Sequence, residues 1–306
     1  MLSESGSVRI ERRVFVSVSS DRTLDDRRRR VKQAIVARLV AQGLSPQIFF
    51  ESGLPQPLSW SFDHVISVMR RCVGAIVIGF PRWQMTLPEG ERVRLVGEFA
   101  HFEGAVALVL GLPTLIAAEE GVQDRAIVYR GAGKAILPIP QNVQADAVFT
   151  GEFGRAFERW AAEVQTREDI FLGYCSRSIG IAAQVQLYAQ RAGATVQNWA
   201  MDFRAGPSIL EELERARNAC SRAIFVFSED DPLDGESGQV APRDNVVFEA
   251  GLFIGSKGAR NCMIVRIGQA KMPADLGGVI YASLAPGEDV AHIETSIRQF
   301  VTASIQ

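Results

Sequence analysis

Histidine is scarce in this chain of 306 residues, with three in all at positions 64, 101 and 292, and the four cysteines (72, 175, 220 and 262) form no CxxC pair. Such a scatter argues against a structural zinc site and against a disulfide framework. No uninterrupted apolar stretch is long enough to span a bilayer, and the opening MLSESGSVRIERRVFVSV lacks the apolar core and small-residue cleavage site of a secretory signal. The expectation is a cytoplasmic protein with no membrane partner. A surplus of charge is lacking too. With 33 basic and 35 acidic residues the formal net charge is -2, so no global positive field exists to hold nucleic acid.

What the chain does have is a 47% hydrophobic content and a length that favours two domains, each able to bury its own core. Its two halves read alike. RRVFVSVSS (12–20) and DIFLGYCSRS (169–178) are β-rich strands that run into small polar residues. RRRRVKQAIVARLVAQG (27–43) follows the first, with Val31, Ile35, Leu39 and Val40 near one face, and GIAAQVQLYAQRAG (180–193) follows the second. Both end on glycine, as helices often do. SWSFDHVISVMRRCVGAIVIGFP (59–81) and PSILEELERARNACSRAIFVFSEDD (207–231) each give an amphipathic helix, a cysteine and a buried strand. EFAHFEGAVALVLGLPTLI (98–116) and NVVFEAGLFIGSKGARNCMIVRI (245–267) share a Phe-Glu pair on an apolar helix before another strand. FGRAFERWAAEV (153–164) and AHIETSIRQFV (291–301) close the halves with helices.

Glu103 and Glu249 lie 146 residues apart and Cys72 and Cys220 148 apart, which suggests an internal duplication; the alternative is that any two small α/β domains share this rhythm. Either way the fold class is α/β: two tandem doubly wound, flavodoxin-like domains with mainly parallel sheets, residues 1–166 and 167–306, divided in the polar stretch QTRE.

A more specific pattern appears at PRDNVVFEAGLFIGSKG (242–258), preceded by Trp199 and Phe203 in NWAMDF, by Ser208 and Leu213, and by SEDD (228–231), and followed by MPADLGGVIY (272–281). These ordered motifs resemble bacterial TIR-like nucleotide-binding domains. In the first loop relatives often carry His-Gly, where this chain has Tyr174, Cys175 and Ser176. The resemblance implies an NAD glycohydrolase effector of antiphage defence, with NAD as substrate, no separate cofactor and no metal. It also implies activation by a cyclic nucleotide and self-association into an active oligomer. Glu249 is then the catalytic carboxylate.

Cleavage of the nicotinamide–ribose bond passes through an oxocarbenium-like ribose, which a carboxylate near the anomeric carbon stabilises. A glutamate between Phe248 and Ala250 needs such a reason to be buried; otherwise it is a first-turn acid favoured by the helix dipole. Arg243 and Asn245 could bind phosphate or fix that carboxylate, or simply cap the helix. Arg177, with Ser176 and Ser178, precedes a helix N-terminus suited to a diphosphate, or is a solvated loop arginine. Trp199 could stack on a nicotinamide or adenine ring, or pack at the sheet edge. Asp230 and Asp231 end a buried strand, where they could hold ribose hydroxyls or only punctuate the loop. PLDGESGQV (232–240) reads as a mobile loop placed to cover the site.

The amino-terminal half keeps Glu103 in HFEGAVALVLG but lacks the Arg-x-Asn-Val lead-in, having EGERVRLVGEFAHFEG (89–104) instead. It resembles a degenerate TIR-like or nucleoside deoxyribosyltransferase-like domain, a ligand sensor or assembly surface in which Glu103 marks a second site. The run Arg27–Arg30 is expected on an exposed helix face, RGAGKAI (130–136) lacks Walker A spacing and reads as a turn, and His101 as a packed histidine. Two rival functions remain: a nucleotide-signal-binding scaffold without turnover, and a deoxyribosyltransferase-like enzyme.

Overall fold

A computed structural model describes residues 11–49, 61–131, 133–199, 208–233, 240–276 and 278–303, apart from the side chain of Asp275. The chain divides into two compact units, Glu11–Arg167 and a second containing Glu168–Gln306.

The amino-terminal unit runs β1 (Arg12–Val18), α1 (Asp26–Ala41), β2 (Leu44–Gln47), α2 (Phe62–Met69), β3 (Gly74–Gly79), β4 (Pro81–Thr86), β5 (Arg92–Val96), α3 (Glu98–Val109), β6 (Thr114–Glu119), β7 (Ile136–Ile139) and α4 (Gly151–Gln165). Its main sheet is parallel throughout, in the order β2-β1-β3-β6-β7. The carboxy-terminal unit runs β8 (Ile170–Gly173), α5 (Ile179–Arg191), β9 (Val196–Asn198), α6 (Ile209–Ala219), β10 (Arg222–Phe227), β11 (Asp231–Pro232), β12 (Val240–Ala241), α7 (Asp244–Lys257), β13 (Cys262–Ile267), β14 (Ile280–Leu284) and α8 (Glu294–Thr302). Its sheet is likewise parallel, in the order β9-β8-β10-β13-β14. Numbered within each unit, both orders are 2-1-3-4-5, the doubly wound arrangement whose crevice opens where connections leave the first strand in opposite directions.

Strand alternation explains the layers. Ile224 and Val226 of β10 join a core with Val185 of α5 and Ile297 of α8, while Phe225 and Phe227 join another with Leu213 of α6 and Phe253 of α7. In β1, Val14 and Val16 face α1 and α4, and Phe15 faces the side of α2. Each such side chain, fully buried, contributes about 1.5–3 kcal/mol relative to exposure. Helix α4 buries Phe153, Phe157, Trp160 and Val164, whose spacing puts them on one face. Gly43 adopts φ +73 just beyond the end of α1, a conformation that favours glycine.

Two helix faces differ from the sequence expectation. Val40 is 59% exposed, so the buried stripe of α1 is Val31, Ile35 and Leu39. The Arg27–Arg30 run is not a solvated face: Arg27 and Arg28 both pair with Glu119 at the end of β6, which is 0% exposed, and only Arg30 is exposed. Arg94 of β5 reaches the same carboxylate at 2.9 Å. A buried acid requires such compensation, and the three arginines are drawn half-buried around it. Among the described residues no helix is long and apolar enough to cross a membrane.

Candidate functional site

In the carboxy-terminal unit a cavity of about 640 Å3 opens beyond the carboxyl ends of β8 and β10. Tyr174, Cys175 and Ser176 line it from the loop after β8, Trp199 from the end of β9, Ile209, Leu210 and Leu213 from α6, and Arg243, Asn245, Val246, Phe248 and Glu249 from the start of α7.

Glu249 is the sixth residue of α7, one turn further in than a first-turn acid, and is 7% exposed. Its Oε2 is buried and has no hydrogen-bond partner among the described residues. Burial alone pushes its carboxyl up to about 7, the direction that desolvation imposes on an acid and the opposite of a dipole-stabilised carboxylate. The carboxyl comes to rest against β8 because residue 173 is glycine. A Cβ there would stand 2.9 Å from Glu249 Oε2 and 2.6 Å from Cδ1 of Phe225.

Trp199 is half-buried, donates from Nε1 to the Tyr174 carbonyl at 2.7 Å and meets the Tyr174 ring edge-on at 6.0 Å. Tyr174 in turn donates its hydroxyl to Asn198 at 2.8 Å. The aromatic wall is therefore fixed by hydrogen bonds as well as by packing. Ser176 and Asn245 are exposed at the opening, and Arg243 is half-buried, its guanidinium 3.3 Å from Asp231. Among the described residues no side chain caps α7, so neither Arg243 nor Asn245 serves that role.

Arg177, Ser178, Asp230 and Asp231 do not line the cavity. Arg177 donates to the Asp230 carbonyl at 2.8 Å. Asp230 is buried and accepts from Ser228 Oγ at 3.0 Å, from Cys175 Sγ at 2.9 Å and from the Arg243 backbone at 3.1 Å. Ser178 donates to Ser228 at 2.6 Å. These groups tie the β8 loop, the end of β10 and the start of α7 together, so they set the frame in which Glu249 and Trp199 are held. Phe203 and residues 234–239 of the expected covering loop lie outside the described residues. Sequence reasoning missed the apolar rim, Ile209, Leu210 and Phe248, exposed by 72%, 50% and 58%. The signal was available in Phe248 beside Glu249, and in two large apolar residues in the first turn behind the Ser208–Glu211 capping box.

Glu103 occupies the corresponding place in the amino-terminal unit, as the sixth residue of α3 and 7% exposed. It lines a cavity of about 610 Å3, and Ser17 of β1 donates to its Oε2 at 2.5 Å. His101 nearby is half-buried, and burial lowers its imidazole below the ordinary range.

Residues 169–285 match the family described as CAP12/Pycsar effector protein, TIR domain. A CD-NTase-associated protein 12 from Lachnospiraceae bacterium (strain RUG226) is 33% identical over 113 residues, 36% of this chain and 35% of its own length. The Pycsar effector protein BcPycTIR from Burkholderia cepacia is 31% identical over 114 residues, 36% of this chain and 38% of its own. Among solved structures, a metazoan TIR-STING receptor from C. gigas in complex with 2',3'-cGAMP aligns with TM-score 0.35 and 16% identity over 44% of this chain and 39% of that one. The chain thus spans little more than a third of the length of these curated relatives.

Proposed function

From the premise that the carboxy-terminal half is a TIR-like domain, we propose that it hydrolyses NAD to nicotinamide and ADP-ribose, or closes the product to a cyclic isomer, as an effector of antiphage defence acting in the cytoplasm. The observation that carries this reading is the buried, unpartnered Oε2 of Glu249 at a cavity of about 640 Å3. A carboxyl held out of water without a donor is costly to ionise alone and becomes favourable as an anion when positive charge develops beside it, with no hydrogen bond to surrender first.

As the bond from C1′ of the ribose to the nicotinamide nitrogen breaks, its electron pair leaves with nicotinamide and the ribose becomes oxocarbenium-like. The Glu249 carboxylate stabilises that cation until water adds to C1′ and releases a proton. In this reading Trp199 offers a ring for nicotinamide or adenine, and Arg243 with Ser176, both lining the cavity, holds the diphosphate. The exposed apolar rim of Ile209, Leu210 and Phe248 suits self-association that closes the cavity; the trigger is a cyclic nucleotide acting through the amino-terminal half.

The test is nicotinamide release by wild type and Glu249→Gln at high protein concentration with a panel of cyclic di- and trinucleotides. Wild-type release that falls by about 10²–10³-fold or more in the variant is expected. Release that survives the substitution rejects the catalytic role of Glu249; wild-type silence with nucleotide binding intact favours a scaffold that senses without turnover.

A further inference from the structure

The amino-terminal cavity has the architecture of a ligand site in its own right. It lies at the switch point of its sheet, where β1 stands between β2 and β3, the place at which doubly wound folds receive small molecules. Its volume of about 610 Å3 is of the size that holds one drug-sized or nucleotide-sized molecule. The lining is graded in chemistry. Buried Ser17 and Glu103 form an acceptor-rich floor, Phe99 presents an aromatic face that is 41% exposed, and Arg22 and Arg82 supply exposed guanidiniums. The Arg82 guanidinium lies over the Trp83 ring at 5.1 Å, which restrains it.

We propose that this cavity binds a ribonucleoside 5′-monophosphate and does not turn it over. A carboxylate accepts hydrogen bonds from the ribose hydroxyls, Phe99 stacks on the base, and Arg22 and Arg82 neutralise the phosphate. Turnover is disfavoured because the Ser17 hydroxyl, 2.5 Å from Oε2, already spends one lone pair of Glu103 and fixes its orientation, leaving it a hydrogen-bonding group rather than a bare counter-charge for a ribosyl cation. This assignment concerns a different site from that of NAD cleavage and stands whether or not the carboxy-terminal half is an enzyme.

Titration calorimetry of the full chain with AMP, GMP, CMP and UMP, with adenosine and ribose 5-phosphate as partial ligands, tests it. At least one monophosphate is expected to bind one-to-one, more tightly than either partial ligand. Its affinity should weaken about tenfold or more in Glu103→Gln and in the exposed-site variant Arg82→Ala, and hold in Glu249→Gln. Absence of binding by all four nucleotides overturns the proposal. So does binding that Glu249→Gln abolishes while Glu103→Gln and Arg82→Ala retain it, since that places the ligand in the carboxy-terminal cavity. Ribose 5-phosphate binding as tightly as every nucleotide overturns the role given to Phe99.

Discussion

The two halves share a strand order, a glutamate at the sixth position of the equivalent helix and a cavity at the same end of the sheet, yet one strand position separates their chemistry. Ser17 pairs with Val77, and Gly173 with Phe225, and Val77 and Phe225 each stand fourth in their strand. Ser17 and Gly173 are therefore equivalents. At that position the amino-terminal half sends a hydroxyl to its glutamate, whereas the carboxy-terminal half has no side chain and its glutamate closes onto the strand with one oxygen unpartnered. The hydroxyl on the neighbouring strand gives one buried glutamate a donor, and where that strand has glycine instead, desolvation keeps the other glutamate's proton on up to about 7.

The largest expected break in this comparison is Gly173→Ser, which imports the amino-terminal arrangement into the other half. The new Cβ meets both Phe225 and Glu249 well inside van der Waals distance, so the carboxylate must move. Displacement of a reacting group by even about 1 Å costs on the order of 10²-fold in rate, and overpacking costs about 1–3 kcal/mol. Nicotinamide release should collapse and the melting temperature fall; unchanged kinetics would show that the glutamate's position is not set by the glycine.

A second contrast sharpens with pH. Glu249 holds its proton up to about 7 in the folded protein against an ordinary value of 4.5, so the folded state binds the proton more tightly than the unfolded state. Its contribution is fully favourable below about 4.5 and is lost as pH rises through about 7, at a cost approaching about 3 kcal/mol above that. Glu249→Gln escapes this loss. Denaturant melts of both proteins should give similar stabilities near pH 4.5 and a gap in favour of the variant that widens towards pH 8. A gap independent of pH would mean the carboxyl is not the source.

The smallest effect is expected for Ser17→Ala, which strips the hydroxyl donor from buried Glu103. A cost of about 1–3 kcal/mol follows from leaving the acceptor short of a donor, seen as a fall of a few degrees in thermal melting. A variant as stable as wild type would show that the other groups around Glu103 hold it unaided.

Much of this architecture is legible from local pattern. Strands β1, β3, β10 and β13 appear as β-branched apolar runs, α4 and α6 declare their buried faces by spacing, and the paired Phe-Glu helices disclose the duplicate cavities. Contacts between residues far apart in sequence are hidden from such reading. Arg27 and Arg28 look like a solvated helix face because Glu119 lies about ninety residues away and its burial depends on the whole sheet. The β4–β5 hairpin was missed because EGERVRLVG carries too few apolar residues to mark a strand; its antiparallel pairing, with Gly90 at φ +86 in the turn, supplies the order. At the site, Glu249 and Trp199 were legible from motif, whereas the inward frame of Ser178, Ser228 and Asp230 was not, since small polar residues at a strand end look alike whether they face a ligand or one another.

The bare oxygen of Glu249 has a consequence for the molecule as a whole. An interior that offers a carboxyl no donor favours its protonated form, so a cation brought beside Glu249 lowers the cost of ionising it and is stabilised by the carboxylate in return. The same interior therefore gives up some local stability for a carboxyl poised between its two forms near neutrality, while the hydrogen bonds that Asp230 accepts from Ser228, Cys175 and the Arg243 backbone hold the neighbouring β8 loop and the start of α7 in place.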